Sequence, residues 1–353
     1  MNPLIPGFAL IFFSAACSGA FAVPLRMRRR FEWENTWLLA FFFAMLVFPL
    51  VTAASLVPVW PAAVAAVSAK TIVTVVAFGF LWGMGAVTFA IGINALGLSL
   101  GYAVIMGVIT VVGSTIPMIR KWSWIPDNAR LVILVGIAIC IVGVGVCGRA
   151  GMLREAAAGG TPIDVDGPSP AVQINVRSAL IPLIWCVVSG IFSAGNNLGF
   201  DFADHVAEQA QLMGISPIHA SLARWIVVYW GGFLAVLVFC GAKMLRRGTW
   251  RMYAGPGSAR DGGLAVLMGL LHFVSQMAYG IGAVYVGRLG TTIGYAIMVA
   301  GSLMLANIFG FVMGEWRAAP PAAVRRLYLG LAILVVAVLT LAYGNGLVPA
   351  AGS

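Results

Sequence analysis

Ten apolar stretches, each long enough to cross a lipid bilayer, dominate the 353-residue sequence. A membrane-spanning helix needs about 20 consecutive apolar residues. The stretches lie near residues 4–24, 36–57, 71–95, 98–119, 131–148, 178–200, 217–242, 263–287, 291–313 and 327–345. Only helices and closed barrels can span lipid, and a barrel strand alternates apolar and polar residues. No such alternation occurs in the run LVILVGIAICIVGVGVC, so we predict an all-α integral membrane protein with ten transmembrane helices.

The composition excludes several other classes of protein. Hydrophobic residues make up 61% of the chain and charged residues 9%, against roughly a half and a quarter in soluble domains. All five cysteines fall inside the apolar stretches and lack metal-binding spacing. The net charge of +10 suits attraction to anionic lipid headgroups. We therefore predict contact with membrane lipid, and no nucleic-acid partner, cofactor or metal site.

The distribution of Lys and Arg predicts the orientation. The loops that follow odd-numbered spans carry fifteen Lys and Arg residues, and the opposite side, including both tails, carries five when the intramembrane Arg224 is left out. Cytoplasmic loops carry the excess of positive charge. We therefore expect both termini outside, in the periplasm if the chain lies in a bacterial inner membrane.

One short phrase is written twice, as LGLSLGYAVIM at 96–106 and as LGTTIGYAIMV at 289–299. Weaker matches pair SGAFA with SGIFS in spans 1 and 6, and GFLW with GLLH in spans 3 and 8. Every match joins span n to span n+5, so the second copy crosses the membrane in the opposite direction. Inverted repeats of this kind are typical of secondary transporters.

The repeat predicts the organisation of the chain. We expect two inverted five-helix repeats, 1–150 and 178–353, which a Gly/Pro/Asp-rich cytoplasmic loop at 151–177 connects. The glycines at the start of the repeated phrase, Gly97/Gly101 and Gly290/Gly294, form GxxxG pairs, which allow close helix approach in lipid. We therefore predict a contact between spans 4 and 9.

Polar side chains inside a span are costly and therefore become candidates for function. The candidates for binding a substrate are Trp82, Tyr102, Asn196, Asn197, His272, Gln276 and Tyr295. His272 and Gln276 lie four residues apart, which places them on one helical face. Amides and imidazole bind hydroxyl groups, and aromatic rings cover the apolar face of a sugar. The alternative role for all of these residues is packing or hydrogen bonding between helices.

Two residues are candidates for proton coupling. Histidine titrates near pH 6.5, and His272 is the one histidine well inside a span. Asp201 follows Asn197 by four residues and lies close to a helix interior. Glu32, Glu34 and Glu315 stay open as alternatives, as does the absence of coupling.

The charged and aromatic residues near span ends have structural interpretations. The segment DFADH, 201–205, suits a solvated helix end better than a metal site, and we expect Arg224 to pair with Asp201 or Asp204 rather than to steer an anionic substrate. We assign the tryptophans at 33, 37, 122 and 124 to the interfacial belts.

Several segments together resemble a known family. They are WGMG (82–85), LGLSLG (96–101), GVGVCGRAGMLRE (143–155), SGIFSAG (189–195), Gln276 and EW (315–316). The residues in these segments, and the order of the segments along the chain, are similar to those of the L-rhamnose–proton symporter family, within the drug/metabolite transporter superfamily. The chain departs from the better-known members at Ala86, where they carry Asn, and it lacks their acidic residue in the segment that reads GTTIGYAIM here.

The resemblance implies a secondary active transporter that takes up a deoxy-sugar such as L-rhamnose together with protons, by alternating access, across a bacterial inner membrane. Two alternatives stay open. One is a proton-coupled exporter of small hydrophobic compounds or metabolites, and the other is a membrane-embedded enzyme. No nucleophile elbow, Walker loop or zinc signature appears in the sequence, which favours a transporter.

Overall fold

The computed structural model describes residues 4–21, 23–96, 98–157, 180–312, 314 and 316–348. Ten helices in this part of the chain are long and apolar enough to cross a membrane. They are α1 (Leu4–Ala20), α2 (Trp33–Leu56), α3 (Ala69–Leu96), α4 (Leu98–Arg120), α5 (Asp127–Ala157), α6 (Leu180–Phe202), α7 (Pro217–Arg247), α8 (Ser258–Val286), α9 (Gly290–Val312) and α10 (Pro321–Gly346). The prediction of an all-α membrane protein with ten spans is confirmed.

Three earlier expectations concern residues outside the described ranges. They are Gly97 of the first GxxxG pair, Glu315 of the EW pair, and the connecting loop beyond Ala157. Shorter helices, Val23–Arg26, Trp60–Ala65 and Asp204–Leu212, and the 3-10 turns Trp122–Trp124 and Thr249–Tyr253 lie between the membrane helices.

Several helices are longer than their apolar stretches. The prediction placed span 5 at 131–148, whereas α5 runs from Asp127 to Ala157. Its last two turns carry Arg149, Arg154 and Glu155, which interrupt the apolar stretch. Hydropathy therefore locates the part of a helix that lies in hydrocarbon and leaves out its polar ends.

Local sequence signals fix both ends of α7. The Ser216 hydroxyl accepts a hydrogen bond from the backbone N–H of His219 at 3.4 Å, and Pro217 occupies the first helical position. The helix ends at Gly248, whose φ of +68° is the left-handed conformation in which glycine commonly terminates helices.

Two helices in the described ranges contain a π segment. In α2 it covers Phe43–Val47 and precedes Pro49, which cannot donate a backbone hydrogen bond to the preceding turn. In α9 it covers Gly290–Gly294, in the second copy of the repeated phrase. Such π segments occur often at functional sites.

The chain divides into two compact units. Unit 1 combines Met1–Met84 with Gly195–Tyr285, and unit 2 combines Gly85–Ala194 with Val286–Ser353. Each unit therefore contains helices from both halves of the sequence.

In unit 1, α3 and α7 approach each other through glycine. A Cβ atom on Gly79 would lie 1.9 Å from the Val228 carbonyl oxygen, and one on Gly231 would lie 1.9 Å from the Val76 carbonyl oxygen. No side chain fits at either position, so the two backbones are in contact. The side chains within one turn after Gly79 on α3 therefore lie close to those within one turn after Val228 on α7.

In unit 2, α5 packs along α10, and α4 contacts α9. Gly143 lies against Leu334, and Gly330 lies against Cys147. The expected contact between spans 4 and 9 is present. It includes Gly113 of α4, which belongs to neither predicted GxxxG pair, because a Cβ there would lie 2.4 Å from the ring of Tyr295 on α9.

Candidate functional site

An aromatic cluster in unit 1 surrounds His272 of α8. The imidazole stacks on Trp82 of α3, with ring centroids 5.4 Å apart and planes 13° apart. Phe41 of α2 contacts the imidazole at 5.2 Å, Phe21 at 5.6 Å and Tyr229 of α7 at 6.4 Å. Two predicted site residues, Trp82 and His272, are therefore in direct contact, and aromatic rings from four parts of the chain enclose the imidazole.

The cluster continues along α7. Tyr229 stacks on Trp225 at 5.4 Å, and Trp225 stacks on Phe200 of α6 at 4.5 Å. Both Trp225 and Tyr229 are fully buried. Their spacing of four residues places them on one helical face.

Two tryptophans that we assigned to the interfacial belt belong to this cluster instead. Trp33 is 7% exposed and stacks on Trp37 at 4.9 Å, and Trp37 contacts Phe41 at 5.0 Å. The other two, Trp122 and Trp124, are exposed. Hydropathy gives the depth of a residue and not the direction in which it points, so the four tryptophans could not be separated from sequence.

Buried polar atoms without a hydrogen-bond partner accompany the rings. Within the described part of unit 1 they include Trp37 Nε1, Asn196 Oδ1, Trp225 Nε1, Tyr229 Oη, His272 Nε2 and Gln276 Oε1. Leaving such a group unsatisfied costs about 1–3 kcal/mol. The set includes hydrogen-bond donors, such as the indole N–H groups, and acceptors, such as the amide oxygens. A ligand with several hydroxyl groups could pair with both the donors and the acceptors, because a hydroxyl group donates and accepts.

The predicted asparagines of α6 differ in their contacts. Asn197 is fully buried, and its Oδ1 accepts a hydrogen bond from the Tyr279 hydroxyl at 2.5 Å. Asn196 is 5% exposed, and its Oδ1 is one of the unpaired atoms. Asp201, one turn beyond Asn197, is fully buried. Of the two asparagines, Asn196 is therefore the one with a free acceptor.

The remaining predicted site residues lie in unit 2. Tyr295 of α9 is 4% exposed and packs against Gly113. Tyr102 of α4 makes an edge contact with Phe89 at 6.0 Å and packs against the apolar core of unit 2. A ligand role for the two tyrosines stays a prediction.

The charged residues at the end of α6 form separate pairs. Arg224 of α7 donates to Asp204 at 2.5 Å, which confirms the structural pair expected for this arginine, and its guanidinium lies 5.0 Å from the Phe200 ring centre. His205 pairs instead with Glu208 at 2.9 Å. Among the described residues, no group of three His, Cys, Asp or Glu side chains could hold a metal ion.

Glu34, one of the alternative proton carriers, is anchored in place. Its carboxylate is fully buried and lies 3.1 Å from Arg247 and 3.8 Å from Lys243, and it accepts a hydrogen bond from the Thr249 hydroxyl at 3.1 Å. Two cations and a hydroxyl donor satisfy this carboxylate, which indicates an anchor between α2 and the end of α7.

Four aromatic residues of this cluster were not predicted as site residues. They are Phe21, Phe41, Trp225 and Tyr229. Phe21 and Phe41 lie in apolar runs and carry no signal of their own. Trp225 and Tyr229 do carry one, since a tryptophan and a tyrosine at i and i+4 in the same span place two polar ring atoms on one face.

Comparison with known proteins gives a consistent result. The model of the family described as L-rhamnose-proton symport protein (RhaT) matches residues 1–347. Curated relatives named L-rhamnose-proton symporter are 25% identical over 344 residues in Pectobacterium atrosepticum and in Escherichia coli O1:K1, and 26% identical over 345 residues in Cronobacter sakazakii. Each comparison covers 95% of this chain and 96% of the relative.

The family match spans nearly the whole chain and agrees with the resemblance seen in the sequence. The members of this family are membrane transporters, so the expectation of a transporter rather than an enzyme is confirmed. With its ten membrane helices, the chain is a multi-pass membrane protein that belongs to the L-rhamnose-proton symport protein family.

Proposed function

We propose that the chain takes up L-rhamnose, or a closely related deoxy-sugar, together with protons across a bacterial inner membrane. The names of its bacterial relatives support the substrate class. The observation that carries the proposal is the set of unpaired buried polar atoms beside stacked rings in unit 1.

The chemistry of a deoxy-sugar matches this surface. Its hydroxyl groups both donate and accept hydrogen bonds, and they would pair with His272 Nε2, Gln276 Oε1 and Tyr229 Oη. Its methyl group and C–H face are apolar and would lie against Phe41 and Trp82. A site built to bind hydroxyl groups rejects ligands that lack them, because its own polar atoms would stay unpaired.

His272 is the proposed proton carrier. Its Nε2 has no partner in the described part of the chain, so this atom can take up a proton or meet the sugar. The face of Trp82, which stacks on the imidazole, attracts a cation and would stabilise the protonated imidazole. Asp201, which is fully buried, is the second candidate.

Alternating access is the proposed mechanism of transport. The repeated phrase at 96–106 and 289–299 supports two inverted repeats. The helices that contain the two copies, α4 and α9, pack together in unit 2, as do the related helices α5 and α10. Contacts between symmetry-related helices are expected when the repeats meet at a pseudo-twofold axis.

Uptake into vesicles tests the proposal. Vesicles that contain the protein should accumulate radiolabelled L-rhamnose above the external concentration under an inward proton gradient, and a protonophore should abolish the accumulation. Empty vesicles are the control, and unlabelled sugars in competition define the substrate. Export of a hydrophobic compound with no sugar uptake would contradict the proposal and favour the exporter.

A further inference from the structure

A groove in unit 2 lies between α4 and α5, and none of the residues that line it belongs to the proposed sugar site. Its volume is about 550 Å³. Its walls are apolar side chains and glycine apart from one charged residue, Arg149. Because the walls offer no set of hydrogen-bonding groups, the groove does not suit a sugar.

Apolar side chains along the groove are exposed. Val111 of α4 is 37% exposed and Ile141 of α5 is 36% exposed. Both lie inside the apolar stretches of their helices, where an exposed apolar side chain is expected to contact hydrocarbon. Glycine creates the space, since a Cβ on Gly107 or Gly145 would meet no atom within 4 Å.

The length of the groove suits a lipid acyl chain. Its lining on α4 extends from Leu100 to Val112, which is about 18 Å at 1.5 Å per residue, close to the roughly 15 Å of one hydrocarbon leaflet. One extended acyl chain can therefore lie along the groove.

The charge identifies the headgroup. Arg149 directly follows the apolar stretch 131–148 and therefore lies where hydrocarbon meets the headgroups. It is exposed and makes no ion pair within the described part of the chain. A basic side chain at this depth attracts anionic lipid headgroups.

We propose that this groove binds one anionic phospholipid, with an acyl chain along Gly107 and Gly145 and the headgroup phosphate at Arg149. The sequence GVGVCGRAGMLRE, which the sugar site leaves unexplained, contributes the α5 wall through its glycines and this arginine.

Lipid binding by the purified full-length protein tests the proposal. Delipidated protein in detergent is titrated with phosphatidylglycerol or with phosphatidylethanolamine of the same acyl chains, and bound lipid is counted by native mass spectrometry. The wild-type protein should bind one phosphatidylglycerol about fivefold more tightly than phosphatidylethanolamine. Arg149→Gln should remove this preference, and the double variant Gly107→Leu/Gly145→Leu should lose both lipids.

Matched controls separate the groove from general effects. Gly241→Leu is the control for the leucine variants, since Gly241 lies outside the groove, on α7, and a Cβ there would also have no neighbour within 4 Å. Arg246→Gln is the control for the charge, since it removes a different exposed arginine near a helix end. Both should bind lipid like the wild-type protein. If the double leucine variant does not fold, the headgroup preference of Arg149→Gln decides the test. Unchanged preference in Arg149→Gln, or a protein dimer that the leucines disrupt without any effect of lipid, would overturn the proposal.

Discussion

The hydroxyl groups of two buried tyrosines in unit 1 have different roles, one in stability and the other in binding. Tyr229 and Tyr279 are both fully buried. The Tyr279 hydroxyl donates to Asn197, whereas the Tyr229 hydroxyl has no partner among the described residues. One phenol is therefore satisfied by the fold, and we infer that the other is satisfied by substrate.

Replacing each phenol by phenylalanine separates the two roles. Tyr229→Phe should weaken L-rhamnose affinity about fivefold, the effect of about 1 kcal/mol for one hydrogen bond, without lowering the thermal unfolding midpoint. Tyr279→Phe should lower the midpoint, because Asn197 loses a donor. Calorimetric titration and thermal unfolding in detergent measure both effects. A Tyr229→Phe protein with unchanged affinity would remove this hydroxyl from the site.

The proposed proton carrier makes a second prediction. His272→Gln keeps a polar side chain but cannot become a cation, so it should retain exchange of L-rhamnose across the membrane and lose accumulation driven by a pH gradient. Counterflow measures exchange, and gradient-driven uptake in the same proteoliposomes measures accumulation. Intact accumulation would exclude His272 as the carrier, and Asp201→Asn would then be the next variant.

The helices show which features of the fold the sequence determines. Apolar length predicted all ten spans, because hydrocarbon thickness sets a minimum length. The polar end turns of α5 could not be predicted from hydropathy. Whether a side chain points towards a neighbouring helix or towards lipid could not be predicted either, since it depends on the packing of helices distant in sequence. For this reason Trp82, His272 and Gln276 were identified as candidates, while Phe41 was missed and Trp33 was assigned to the wrong environment.

The backbone contact between α3 and α7 makes a prediction about folding. Gly231→Ala would place a Cβ 1.9 Å from the Val76 carbonyl oxygen, so the helices must separate, at a cost of about 2 kcal/mol or more. Gly241→Ala, on the same helix, meets no atom within 4 Å and should have no such cost. Thermal unfolding of the two variants compares them. Equal midpoints would contradict the close packing of α3 and α7.

At the scale of the whole molecule, the orientation rests on the loops. The excess of Lys and Arg on one side predicts that both termini face the periplasm. The repeated phrase predicts that the two halves of the chain have opposite orientations. Both inferences depend on charge and sequence similarity, so they require a test in an intact membrane.

Introduced cysteines can supply this test. Ala157→Cys at the end of α5 should be shielded from an impermeant thiol reagent in intact cells, and Gly346→Cys at the end of α10 should react. Both positions are exposed, and the five native cysteines are buried, so background labelling should be low. Permeabilised cells control for accessibility. The reverse pattern would invert the proposed topology.

The most direct test of the account is whether sugar moves protons. Proteoliposomes with the wild-type protein and an internal pH-sensitive dye, held at equal pH on both sides, receive external L-rhamnose. Symport predicts acidification of the interior that requires L-rhamnose and that is lost in His272→Gln but persists, with a higher half-maximal sugar concentration, in Tyr229→Phe. Entry of L-rhamnose without any change of internal pH would contradict the account.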